Sequence, residues 1–183
     1  MRIIAGQFRG KKLKSPPSAD IRPTIDRVRQ SIFNILSSNF SHDFAGKNVL
    51  DLFAGTGAMG IEAMSRGAEF VCFVDSKVEA RSLIRFHIED FGIAGKAKLL
   101  KRDACNLGKM DRFEKFNLIF IDPPYGNNLG EKALKNALEN EWVAEGAIIV
   151  LEEKAGLEIE FPKSLELFDK RKYGNSEIYF LRG

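Results

Sequence analysis

Five short apolar runs, Asn48 to Leu52, Phe70 to Val74, Ala97 to Lys101, Leu118 to Ile121 and Ala147 to Leu151, constrain the fold of this chain more than any other feature. They are nearly continuous in hydrophobicity, which is the mark of strands covered on both faces. The segments between them, around 58–66, 77–91 and 130–139, read as helices. Strand, turn and helix repeated in this way specify a parallel sheet wrapped by helices on both sides. The tail changes pattern, because Leu165 to Tyr173 and Glu177 to Leu181 flank Gly174-Asn175, which is hairpin chemistry. The expected architecture is therefore α/β: a doubly wound, mostly parallel seven-stranded sheet with one antiparallel member and a C-terminal antiparallel hairpin.

Before the first run lies a segment of different character. Arg2 to Lys14 reads as two short strands around Gly6-Gln7-Phe8-Arg9-Gly10, a small β-hairpin projecting basic side chains. Ser15 to Asp20 is a proline-containing linker, so residues 1–20 form a basic arm and residues 21–183 the main domain. Thr24 is placed to cap a helix whose apolar positions Ile25, Val28, Ile32, Ile35 and Leu36 recur every three or four residues. Residues 1–29 hold eight basic side chains against two acidic ones, a local charge of +6, whereas the whole chain carries +3. A basic arm on a mildly acidic body fits a polyanion partner, whose phosphates it neutralises while counterions are released. Arg2, Arg9, Lys11, Lys12, Lys14, Arg22 and Arg27 are the candidate nucleic-acid contacts; the competing reading is a solvated basic tail.

Composition excludes several classes. At 183 residues, 44% apolar and 29% charged, the chain suits one globular domain, and no apolar run reaches the roughly 20 residues of a membrane span. The first fourteen residues lack the apolar core of an export signal, so a cytoplasmic location is expected. Cys72 and Cys105 have no CxxC spacing, and no metal site is expected. Cys72 reads as a small buried hydrophobe; His42 and His87 lack clustered partners and receive no role.

The chemistry concentrates at the strand ends. Asp122-Pro123-Pro124-Tyr125 follows Leu118 to Ile121 directly. An acid, two prolines and an aromatic ring there make a cradle for a flat ring bearing an amino group. Such an amine has its lone pair drawn into the ring, and it attacks a methyl donor only when acceptors hold its protons and aim the nitrogen. Asp122 and the Pro123 carbonyl supply acceptors, the prolines remove competing N–H donors, and Tyr125 stacks on the base. Asp51, Asp75 and Asp103 also sit at or just beyond strand ends, so all four acids should line one crevice.

After Asp51 comes Gly55-Thr56-Gly57-Ala58-Met59-Gly60, a G-x-G-x-x-G loop, with Asp75 twenty residues beyond Gly55. That spacing also fits an NAD-dependent dehydrogenase. Asp51 beside the loop would repel a pyrophosphate and favour the ammonium and sulfonium of S-adenosyl-L-methionine, and Asp103 can accept a proton from an adenine amine.

The order Asp51 to Gly57, Asp75, Asp103 and Asp122 to Tyr125 resembles the S-adenosylmethionine-dependent methyltransferases of exocyclic amines. More narrowly, Arg2-Ile3-Ile4-Ala5-Gly6-Gln7-Phe8-Arg9-Gly10-Lys11-Lys12-Leu13 and Ile21-Arg22-Pro23-Thr24-Ile25-Asp26-Arg27-Val28-Arg29-Gln30-Ser31-Ile32-Phe33-Asn34 resemble the opening of the bacterial small-subunit (16S) rRNA guanine-N2 methyltransferases. The resemblance implies a Rossmann-like class I methyltransferase fold. It implies cofactor contacts at Asp51, Phe53, Ala54, Gly55, Thr56, Gly57, Asp75, Ser76, Asp103 and Ala104, with Thr24 near the methionine end or the RNA. It also implies a flipped guanine held by Asp122, Pro123, Pro124 and Tyr125, and small-subunit rRNA as partner, either naked or within a partly assembled ribosomal subunit. A DNA or RNA adenine-N6 methyltransferase, a protein glutamine methyltransferase and a non-catalytic RNA-binding protein are the remaining alternatives.

Overall fold

A computed structural model describes residues 1–14, 26–41, 43–110, 114–124 and 127–183. The strands are β1 (Asn48–Leu52), β2 (Phe70–Val74), β3 (Ala97–Leu100), β4 (Phe116–Ile121), β5 (Val143–Lys154), β6 (Glu166–Tyr173) and β7 (Ser176–Arg182). The helices are α1 (Asp26–Asn39), α2 (Ala58–Ser65), α3 (Val78–Asp90) and α4 (Leu129–Glu139). The strands form one seven-stranded sheet in the order β3-β2-β1-β4-β5-β7-β6. β1 to β5 pair in parallel, and β7 is antiparallel to both β5 and β6. The doubly wound α/β fold with one antiparallel member is as the apolar runs require.

Residue alternation splits the core into two layers. Val49, Phe73, Phe120 and Val150 face one side, where they bury Ile32, Phe33 and Leu36 of α1, Ile61 of α2 and Ile84 of α3. Leu50, Leu52, Val74, Ile121 and Leu151 face the other, against Ala133, Leu134 and Ala137 of α4. Phe33 is fully buried with its ring 5.7 Å from Phe120 and 6.0 Å from Phe44. Truncating a ring of this kind typically costs about 3–5 kcal/mol, so this contact fixes α1 over β4. Cys72 is buried among these side chains, and burial pushes its thiol up to about 12, the behaviour of an inert core residue.

Several boundaries differ from the sequence reading. β3 stops at Leu100, one residue before Lys101, and β4 starts at Phe116, two residues before Leu118; the expected helix start at Thr24 and Ile25 lies outside the described residues. β5 starts four residues before Ala147, because Gly146 at φ +71° lets the strand continue through an irregular register opposite Phe116 and Leu118. A polar Glu145 and a glycine hide that extension from a search for apolar runs.

The N-terminal hairpin is present as one antiparallel bridge, Arg2 with Lys12, rather than two full strands. It does not project freely. Ile3 and Leu13 are buried in the α1–α3 core layer, and Gly6 at φ +83° brings its backbone against the end of α2, where Gln7 N–H donates to the Ser65 carbonyl at 2.8 Å. Glu62 is the anchor. It is fully buried, accepts the amides of Ile4 (2.8 Å) and Ala5 (3.1 Å), and pairs with Arg66 at 2.9 Å and the buried Arg29 at 3.7 Å. A carboxylate with this many donors can remain buried at tolerable cost, and removing it would take a carboxylate from Arg66 and leave Arg29 with Asp26 at 3.0 Å.

Candidate active site

In an open parallel sheet, ligands sit where the strand order reverses, outside the carboxyl ends. Here that point lies between β1 and β4, which are adjacent and end level with one another at Leu52 and Ile121. Parallel neighbours are about 4.8 Å apart, so the segment after β1 and the segment after β4 begin side by side. The first is the glycine turn; the second is Asp122-Pro123-Pro124.

The turn after β1 is built from left-handed backbone. Phe53 (φ +55°), Gly55 (φ +56°) and Gly57 (φ +76°) all lie where L side chains are disfavoured, yet Phe53 is held there by packing into the α4 core layer. Strained residues of this kind persist where surrounding contacts over-determine them, often at ligand sites. Ala54 N–H donates to the Val74 carbonyl at 3.1 Å, and Gly57 N–H to the Ala54 carbonyl at 2.7 Å, which closes the turn over the ends of β1 and β2.

Asp75 sits at the end of β2 and fastens the turn from the side. Its Oδ2 accepts Gly55 N–H at 2.9 Å and its Oδ1 accepts Lys77 N–H at 2.8 Å. A carboxylate offers about four acceptor directions, so two amides leave capacity for hydroxyl donors. Ser76, the next residue, is exposed.

Asp51 departs from its expected role as a charge beside the loop. It is 3% exposed, and Oδ2 accepts Gly60 N–H in the first turn of α2 at 2.9 Å. Burial raises its carboxyl from 3.8 to about 8, opposed by the Gly60 bond, so the group is largely protonated at neutral pH. Asp51 therefore shapes the turn from beneath rather than presenting a charge to a ligand.

On the far side, Asp103 is exposed, with Oδ1 accepting Cys105 N–H at 2.9 Å, while Ala104 is buried. Asp122 is half-buried, Pro123 buried and Pro124 exposed. A Cβ on Gly130, in the first turn of α4, would lie 3.5 Å from Pro123 Cγ, 3.5 Å from Glu153 Oε2 and only 2.9 Å from Leu151 Cδ1. That close approach packs α4 against Pro123 and sets the floor of the crevice. Tyr125, Thr24 and Arg22 lie outside the described residues.

The basic candidates divide. Arg9, Lys12 and Arg27 are exposed. Arg2 is exposed too but donates to the Gly10 carbonyl at 2.9 Å. Lys11 pairs with Asp90 at 3.1 Å, and the Lys14 ammonium lies 3.4 Å from the Phe86 ring centroid. Among the described residues no cluster of His, Cys, Asp and Glu is arranged to hold a metal, and no helix is long and apolar enough to cross a membrane.

Two residues to which the sequence reading gives no role belong to this frame. Glu62 was visible only as a lone acid in the apolar helix Ala58–Ser65. His87, buried in α3, bonds the Thr56 carbonyl at 2.9 Å, a link that no spacing rule reveals.

Residues 1–182 match the model of the family described as Conserved hypothetical protein 95. The chain belongs to that family. Ribosomal RNA small subunit methyltransferase D of Escherichia coli K12 is 34% identical over 154 residues, spanning 83% of this chain and 74% of the relative. The solved structure of yhhF from Escherichia coli superposes with a TM-score of 0.84 at 29% identity, covering 100% of this chain and 97% of that one. SMU.776, a structure complexed with SAH, shares the fold at a TM-score of 0.62 and 20% identity, over 86% of this chain and 48% of that one. The likeness to small-subunit rRNA methyltransferases and the Rossmann-like architecture expected from the sequence thus both hold.

Proposed function

We propose that this chain transfers a methyl group from S-adenosyl-L-methionine to the exocyclic N2 of a guanine in small-subunit rRNA. The observation that carries the reading is the side-by-side start of the glycine turn and the Asp122-Pro123-Pro124 segment at the β1–β4 reversal. The activity named for its relative in Escherichia coli K12 supports rRNA as the substrate class.

The residues present suit that donor. The turn at Gly55 and Gly57 offers backbone without Cβ atoms, Asp75 retains acceptor capacity for ribose hydroxyls, and Asp103 with the buried Ala104 flanks the place for a base. When bound, the donor supplies an electrophilic methyl on a sulfonium, an excellent leaving group. The protein's task is then positioning, which can account for most of the rate. Asp122 and the Pro123 carbonyl hold the two N2 protons, aim the nitrogen lone pair and stabilise positive charge as it develops on the amine. Methyl transfer would leave N2 positively charged with one proton to lose, which would pass to the Asp122 carboxylate or to solvent, so no strong base is required.

The guanine must leave its stack to reach the crevice, at a cost of a few kcal/mol. Stacking on Tyr125 returns about 1–3 kcal/mol of this. The exposed Arg9 and Lys12 of the hairpin hold the RNA backbone meanwhile.

The test is transfer of labelled methyl from S-adenosylmethionine to small ribosomal subunits and to naked RNA, followed by nucleoside mass spectrometry. N2-methylguanosine is the expected product. N6-methyladenosine would replace the guanine reading with the adenine one, and a melting-temperature rise with NAD rather than the methyl donor would overturn both.

A further inference from the structure

His87 joins two parts of the molecule that are far apart in sequence. Its Nε2 lies 3.0 Å from the backbone nitrogen of Lys14, the last described residue of the basic hairpin, and its Nδ1 lies 2.9 Å from the carbonyl oxygen of Thr56, the middle residue of the glycine turn. A backbone amide only donates, so Nε2 must be the bare nitrogen. The proton then sits on Nδ1 and is donated to Thr56. The imidazole is fully buried, with the rings of Phe86 and Phe91 edge-on at 5.6 and 6.2 Å, and in this neutral tautomer both of its nitrogens are satisfied.

The same turn of α3 grips the hairpin in other ways. Lys11 pairs with Asp90, Phe8 meets Phe91 edge-on at 5.1 Å, and the Lys14 ammonium sits over Phe86. The exposed Arg9 and Lys12 of the same hairpin are the basic side chains offered to a polyanion. Any shift of this strand on binding moves the Lys14 amide, and the rigid ring passes that displacement to the Thr56 carbonyl.

Resting on the proposed function above, we propose that His87 is a positioning residue that couples RNA on the basic hairpin to the shape of the Gly55–Gly57 turn, so that RNA and methyl donor strengthen each other's binding. The coupling is reciprocal by linkage. It needs both hydrogen bonds of the ring, and the two can be removed separately. An asparagine amide reaches about as far as ring Nδ1, so His87→Asn keeps the bond to Thr56 and loses Lys14. A glutamine amide reaches about as far as Nε2, so His87→Gln keeps Lys14 and loses Thr56.

The experiment measures S-adenosylhomocysteine affinity by equilibrium binding, with and without small ribosomal subunits from a strain lacking this protein. In the unmodified protein the subunits should tighten binding by about fivefold or more, the lower range of measured couplings. His87→Asn should lose the enhancement whatever its affinity for S-adenosylhomocysteine alone, because the coupling is the ratio of the affinities with and without subunits. His87→Gln should weaken binding even without subunits. A purely structural role would lower stability in both variants and leave the enhancement intact, and that result overturns the proposal, as would full enhancement in His87→Asn. An unmodified protein that binds S-adenosylhomocysteine without any effect of subunits also refutes it while leaving the proposed function standing. No S-adenosylhomocysteine binding at all would remove both.

Discussion

Asp51 Oδ2 accepts the amide of Gly60 at 2.9 Å from a position 3% exposed, so the first acid of the glycine turn is a buried brace. Burial holds its carboxyl at about 8, above the 3.8 of the free group. The folded state therefore binds a proton that the unfolded chain has lost between those values. The stability this provides is complete below about pH 4 and declines as pH rises towards 8. Asp51→Asn keeps an oxygen for Gly60 and has no charge to desolvate. Above about pH 6.5, where the buried neutral His87 adds no slope, the melting temperature of this variant should fall less towards pH ~8.5 than that of the unmodified protein. Parallel slopes in thermal unfolding would show that Asp51 is ionised in the fold.

Gly6 tests the docking of the hairpin. A Cβ there would stand 1.7 Å from the Ser65 carbonyl oxygen, a conflict with backbone that no rotamer relieves, at φ +83°. Gly10 has nearly the same φ, +82°, with nothing within 4 Å of its Cβ position. Gly10→Ala should thus cost only the left-handed strain of about 1–2 kcal/mol. Gly6→Ala should exceed the ~3 kcal/mol of ordinary substitutions or release the hairpin. Trypsin cleavage after Arg9, Lys11 and Lys12 under native conditions reads the difference directly. Equal protection in the two variants would mean that the hairpin is not held by the end of α2.

Asp122 and Tyr125 carry the catalytic reading. Asp122→Ala should abolish methyl transfer in single-turnover assays while S-adenosylmethionine binding stays within a few-fold, because the donor's contacts are proposed on the other side of the crevice. Tyr125→Phe should be tolerated, since stacking needs the ring. Tyr125→Ala should lose about 1–3 kcal/mol of base stacking, roughly five- to more than a hundredfold in transfer efficiency. Transfer at the unmodified rate by Asp122→Ala, or equal losses in the two tyrosine variants, would require a different account of amine positioning.

The strands and the carboxyl edge of the sheet were legible because the information is local. A continuous apolar run announces a buried strand, and an aspartate at its end announces the sheet edge. β1 and β2 accordingly run from Asn48 to Leu52 and from Phe70 to Val74, as read from sequence. The rest depends on pairs that sequence separates. Glu62 is explained by amides 57 and 58 positions away, and His87 by partners 73 and 31 positions away. The state of Asp51 was hidden for a related reason: strand position gives the edge, but alternation turns its side chain onto the layer covered by α2, where its charge is suppressed.

The docked hairpin also changes what its charges can do. Arg9 and Lys12 are exposed, whereas Lys11 already pairs with Asp90 at 3.1 Å and must give up that partner to reach a phosphate. Each phosphate contact contributes about 0.7–0.9 to the slope of log affinity against log salt. Replacing Arg9 and Lys12 by alanine should therefore flatten that slope by up to about 2 units in filter binding to small-subunit rRNA. Lys11→Ala should change it by less than one contact's worth and lower the melting temperature slightly, because an exposed ion pair is worth about 0–1 kcal/mol. A larger slope change for Lys11→Ala than for either exposed residue alone would mean that the hairpin leaves α3 when RNA binds. An unchanged slope in the double variant would make the hairpin a structural element rather than an RNA contact.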